Sequence, residues 1–121
     1  MANSFTKNGK YSGKFSIDEL TFSGASQTSK TVNYDLTSVA DASDFIKEAK
    51  KGPVAITIEV ISCDIGETTP AAAGITTLTA AYDSSTNILT VTMSISAAPG
   101  TGNTRTYTVS GNILALHSLV K

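Results

Sequence analysis

One histidine, one cysteine and ten carboxylates are the reactive side chains of this 121-residue chain. Hydrolysis or group transfer needs a nucleophile, a base and an orienting group that converge in a cleft. His117, the sole histidine, stands beside Leu116 in an apolar run, which reads as a structural or interface residue. Cys63 is followed by Asp64 and has no basic neighbour, so nothing in the sequence activates it and an inert thiol is expected. A single histidine and a single cysteine cannot build a structural zinc site within one chain. GKYSGK, from Gly9 to Lys14, has three residues between its glycines, no following Ser or Thr and no strand before it, so it fails as a phosphate loop. Asp64 and Glu67 flank Gly66 and match no twelve-residue calcium loop. Asp18 and Glu19 point to opposite faces of a regular strand, whereas a glycosidase pair must address one bond. The expectation is a protein that is not an enzyme, with no catalytic, cofactor-binding or metal-ligating residues and no cofactor.

Hydroxyls are abundant where reactive groups are scarce. Three strands carry Thr-x-Thr, at Thr77 and Thr79, Thr90 and Thr92, and Thr106 and Thr108. Placed side by side, these strands would form a flat, uncharged, β-branched patch. Threonine suits a pleated surface and stays solvated there, which accounts for it without any ligand. Ice-binding proteins present Thr-x-Thr ladders, a resemblance at dipeptide scale without their regular repeat, and it makes the six threonines a candidate face for ice or carbohydrate.

Ser and Thr make up roughly a quarter of the chain, while charged residues are 16%, and Thr is the β-favouring member of the pair. A net charge of −1 with a single Arg argues against nucleic acid as the main partner, because counterion release needs clustered basic residues. No intrachain disulfide can form from one cysteine. The N-terminus lacks an apolar signal core and no window approaches eighteen uninterrupted apolar residues, so no signal peptide and no membrane partner are expected. Synthesis in a reducing cytoplasm follows.

The chain divides into an N-terminal arm, 1–14, and a single β-rich domain, 15–121. The arm is polar, with Phe5 and Tyr11 as lone aromatics and Lys7, Lys10 and Lys14 uncompensated until Asp18. KFSIDELTFS alternates Phe15 and Ile17, then slips phase to Leu20 and Phe22, which predicts a bulge near Asp18 and Glu19. TVNYDL is a second strand. A short helix is expected at about 41–51, with Asp41 as N-cap, Lys47, Lys50 and Lys51 near its C-terminus, and Gly52 and Pro53 as terminators. VAITIEVIS follows as a strand, then a loop from Cys63 to Gly74. ITTLTAAY and ILTVTMSIS form a hairpin around DSSTN, with Leu78, Ala80, Tyr82, Leu89, Val91, Met93 and Ile95 turned inward. RTYTVSG and NILALHSLVK complete about seven strands, the last four expected to be joined by turns short enough for hairpins and the final one apolar on both faces. The predicted fold is mainly β: an antiparallel sandwich or barrel with one short α-helix against an edge or open end.

A doubly apolar C-terminal strand needs cover on both faces, and a charge-poor surface is cheap to desolvate against another subunit. Small, Thr/Ser-rich, all-β with one helix, lacking catalytic residues and ending in arm-like termini, the chain resembles bacteriophage virion proteins. That resemblance implies a non-enzymatic structural role in the virion, foremost as a capsid decoration or cement protein that stabilises a phage head by intersubunit contacts. Tail-tube proteins, whose β-barrel with a flanking helix stacks in rings, are the alternative, and a monomeric ice- or carbohydrate-binding module is a third reading. The implied partners are the chain itself, as a homo-oligomer, and a major capsid or tail protein. The expected interface residues are Phe5, Lys7, Lys10, Tyr11 and Lys14 in the arm and Leu116, His117, Leu119 and Val120 at the C-terminus.

Overall fold

The structure, a computed structural model, describes residues 3–66 and 74–117. Seven strands form two antiparallel sheets: β1 (Ser4–Gly9), β2 (Ser12–Gly24), β4 (Val54–Gly66) and β7 (Gly100–Ala115) in the order β1-β2-β7-β4, and β3 (Ser29–Asp35), β5 (Ile75–Asp83) and β6 (Ile88–Ile95) in the order β3-β6-β5. Both sheets keep free edges, so the architecture is a sandwich and not a closed barrel. The inner faces meet in a core of Phe15, Ile17, Leu20, Phe22, Leu89, Val91, Met93, Val109 and Ile113, all fully buried.

The hydrophobic alternation explains most of this. Along β6 the even period places Leu89, Val91, Met93 and Ile95 inside and the intervening hydroxyls outside. In β2 the register against β7 shifts between Ile17 and Leu20, and that bulge lets Phe15, Ile17, Leu20 and Phe22 all reach the core. The β5–β6 turn closes on Asn87, which adopts a left-handed conformation that asparagine tolerates. Its backbone N–H donates to the Asp83 carbonyl at 2.8 Å, and its own carbonyl accepts from the Leu36 N–H at 2.9 Å, tying the turn to the end of β3.

Helix α1 (Ser43–Ala49), preceded by a 3-10 turn at Ala40–Ala42, plugs one end of the sandwich. Phe45 bridges the two sheets, with its ring centroid 6.0 Å from that of Phe5 on β1 and 5.0 Å from that of Tyr82 on β5. Ala42 and Ala49 are buried beside it, and the Lys50 ammonium donates to the Ser84 carbonyl at 2.7 Å. The helix is shorter than its apolar pattern suggested. Asp41 does not cap it; its carboxylate accepts from the backbone N–H of Lys7 at 3.1 Å.

Four expectations need correction. Within the expected arm, residues 3–14 are part of the domain: Ser4–Gly9 and the start of β2 form a hairpin at the sheet edge, and Phe5 is buried in the core. The two C-terminal strands are one, β7, because Gly111 continues the strand where a turn was expected to break it. The Cys63–Gly74 loop is shorter at its start, since β4 continues to Gly66. Of the successive C-terminal connections only β5–β6 is a hairpin within a sheet; β4–β5 and β6–β7 pass from one sheet to the other.

Candidate functional site

The strand β4 is an edge strand, paired with β7 on one side. Directly opposed residues on an antiparallel pair share a face. Val60 opposes the buried Val109, Cys63 opposes Tyr107 and Ile65 opposes the buried Arg105, so these β4 side chains point toward the sandwich interior. Ile61 sits in the bulge where the register shifts between Val60 and Ser62. On the facing sheet, Ile75 at the start of β5 opposes the buried Ile95 and also points inward.

Inward-pointing residues are normally sealed, and here they are not. Val60, Ile61, Ile65 and Ile75 are 36%, 55%, 47% and 39% exposed, and Cys63 between them is exposed as well. The sandwich is therefore unsealed along the flank where β4 lies over β5. Toward the helix end of the same flank, Gly52, Pro53, Val54, Ile56, Ala80 and Tyr82 wall a cleft of about 390 Å³. Burial pushes the Tyr82 phenol up, with the Asp83 and Asp35 carboxylates adding to the rise, and its hydroxyl reaches the Asn87 side-chain oxygen at 3.4 Å. Burial likewise raises the Tyr107 phenol, against the opposing effect of Arg105. The charged residues of β4 are Glu59 and Asp64, so apolar surface and free strand edge coincide.

The expected interface residues are scattered. Lys7 pairs with Asp44 at 2.5 Å, which ties β1 to the helix and holds the Asp44 carboxyl below the usual carboxylate range. Lys10 lies over the Tyr11 ring at 5.3 Å, and the Tyr11 carbonyl accepts from the Ala115 N–H at 3.1 Å. Lys14 is exposed on the outer face of the larger sheet, beside Thr57 and Asn112. The Leu116 N–H donates to the Pro53 carbonyl at 3.0 Å. His117 follows the end of β7, exposed and packed against Gly52, and so is not inside an apolar strand. Leu119, Val120 and the calcium candidate Glu67 lie outside the described residues. Within the described part of the C-terminal run, Ile113 and Ala115 are buried on the inner side of β7, Leu114 is half-buried on the outer side, and Leu116 follows the end of the strand.

The six threonines do not share a face. Thr77, Thr79, Thr90 and Thr92 lie on the outer side of the β3-β6-β5 sheet, whereas Thr106 and Thr108 belong to β7 in the opposite sheet. Sequence reading missed the β3 contribution: Ser29, Ser94 and Thr77 form one row, and Thr31, Thr92 and Thr79 the next. Several of these hydroxyls satisfy one another, with Thr31 to Thr92 at 3.3 Å and Ser94 to Ser29 at 3.4 Å, while Thr90 donates to Asn33 at 2.9 Å.

No group of three or more His, Cys, Asp or Glu side chains that could hold a metal occurs among the described residues. No helix among them is long and apolar enough to cross a membrane. Comparison with protein-family models, with curated proteins and with solved structures yields no match.

Proposed function

We propose that this chain is a non-enzymatic structural protein that acts by burying its β4/β5 flank in an assembly. The observation that carries this reading is the unsealed flank itself. Inward-pointing Val60, Ile65 and Ile75 are only partly covered in the isolated chain, and Ile61 is more exposed still. Covering them adds hydrophobic stabilisation, and the stretch from Val60 to Gly66 carries only one charge to desolvate, Asp64. A contiguous exposed apolar stretch on a long free strand edge is the ordinary mark of an interaction surface.

At finer grain, the reading is a phage head decoration or cement protein made in the host cytoplasm and carried in the virion. The low charge, the hydroxyl-rich outer faces and the scarcity of reactive side chains support it. A tail-tube role is the alternative and would require ring stacking. The test is mass spectrometry of density-gradient-purified particles from the source of this sequence. Peptides of this chain in stoichiometric proportion to the major capsid protein support decoration, peptides confined to isolated tails support the tube, and absence from both removes the virion reading.

A second reading rests on the hydroxyl rows of the smaller sheet, which could face ice or a glycan. The mutual hydrogen bonds across β3 and β6 count against it, since hydroxyls already paired have less capacity left for a ligand.

A further inference from the structure

The chain treats its four strand edges differently. β1 is six residues long, carries Lys7 and is shielded by the 3-10 turn, whose Asp41 accepts from the Lys7 N–H. β3 is seven residues long and carries Lys30. β5 is nine residues long. β4 is the longest at thirteen residues and contains neither lysine nor proline. Natural proteins blunt edges with short strands, lysine, proline or cover, because an open edge templates pairing with another chain. The bulge at Ile61 interrupts β4, but the stretch before it is regular.

That regular stretch, Val54–Val60, is complementary to itself. If two copies run antiparallel about a two-fold axis at Thr57, Val54 faces Val60, Ala55 faces Glu59, Ile56 faces Ile58 and Thr57 faces its own counterpart. Val54, Ile56, Ile58 and Val60 lie on the interior-facing side, so the pairing matches apolar with apolar on one side and polar or small with polar or small on the other. Moving the axis to Glu59 would set like charges face to face, which is destabilising. Moving it to Ile58 would bring Val54 opposite Ser62, beyond the bulge and on the wrong face.

The same geometry disposes of the exposed flank. Beyond Val60 each strand runs on past the partner's Val54, toward the end where Gly52 and Pro53 wall the cleft shared with Ala80 and Tyr82. The exposed Ile61 and Ile65 of each copy thus travel toward the other's cleft, twice, by symmetry.

We propose that the occupant of the β4 edge is a second copy of this chain, paired antiparallel through Val54–Val60 about Thr57, which joins two four-stranded sheets into one of eight strands. This rests on the assembly reading above and specifies its partner and register.

Cysteine placement tests the register in the full chain. Thr57→Cys with Cys63→Ser sets two thiols directly opposite each other, within disulfide reach. Ala55→Cys with Cys63→Ser sets its two thiols four residues apart along the strands, about 13 Å and beyond reach. Mild oxidation is expected to convert the first variant to a covalent dimer and leave the second monomeric on non-reducing gels. Charge placement provides an independent readout. Thr57→Lys and Thr57→Glu, at an exposed position, should each weaken dimerisation about tenfold or more in sedimentation, and an equimolar mixture should restore it. Equal cross-linking of both cysteine variants, or association of Thr57→Lys as tight as the wild type, overturns the proposal. If replacing the flank isoleucines abolishes association while Thr57→Cys fails to cross-link, the β4 pairing is wrong and the flank reading stands; a wild-type monomer absent from particles removes both.

Discussion

The ring of Phe15 on β2 fills the volume that a side chain on Gly111 of β7 would occupy. A β-carbon built on Gly111 would lie 2.7 Å from Phe15 Cζ and 1.9 Å from the Thr57 carbonyl oxygen. The two residues face each other in register, so the glycine is the space into which the aromatic packs. The same arrangement recurs at Gly13, where a β-carbon would meet the Phe5 ring at 2.1 Å.

Gly111→Ala therefore forces the ring or the β4 backbone to move. Overpacking of this kind costs about 1 to 3 kcal/mol. Chemical denaturation should show a lowered midpoint with an unchanged slope; equal stability of variant and wild type would mean that the contact relaxes freely.

Removing the plug at the sandwich end should be more costly. Phe45→Ala deletes a fully buried ring that touches Phe5 and Tyr82, and the expected loss is about 3 to 5 kcal/mol in urea unfolding. A loss below 1 kcal/mol would show that the helix is dispensable to the core.

The Lys7–Asp44 pair is exposed, and its signature is a titration. Hydrogen bonding and charge from Lys7 hold Asp44 below its ordinary value of 3.8. A depressed folded value means that stability is present above the unfolded value and is lost as pH falls through the folded one. In Lys7→Ala, the Asp44 carboxyl observed by NMR should titrate closer to 3.8. Asp35 and Asp83, held low by Thr37 and Ser85 within their own turns, should not move.

Much of this fold is legible from alternation alone. The inside-outside pattern of Leu89 to Ile95 and the bulge after Ile17 follow from period-two hydrophobicity. The hairpin formed by β1 is not legible, because Phe5 is its only buried side chain among polar residues, and its place is fixed by pairing with β2 and by the helix. Sheet membership is equally non-local. Thr106 and Thr108 repeat the dipeptide of β5 and β6, yet β7 pairs with β2 and β4, which splits the threonine face. The flank residues were visible only as ordinary strand hydrophobics. Their exposure comes from β4 being an edge strand, and the doubly apolar rule pointed instead to β7, which is interior.

The outer face of the smaller sheet separates assembly from surface recognition. Thr79 and Thr92 are directly opposed, so Thr79→Lys with Thr92→Lys sets two cations on the middle of the hydroxyl rows. Self-association should be unchanged, since the flank lies elsewhere. Loss of association would move the interface to this face, and inhibition of ice growth by the wild type that this variant lacks would favour the binding-module reading.

The most direct measurement is sedimentation velocity across a hundredfold concentration range, comparing the wild type with the combined Val60→Ser, Ile61→Ser and Ile65→Ser variant. Circular dichroism on both chains would check that the fold is retained. The flank account predicts concentration-dependent association of the wild type and a monomer at every concentration for the variant. Equal association of the two folded chains would contradict it.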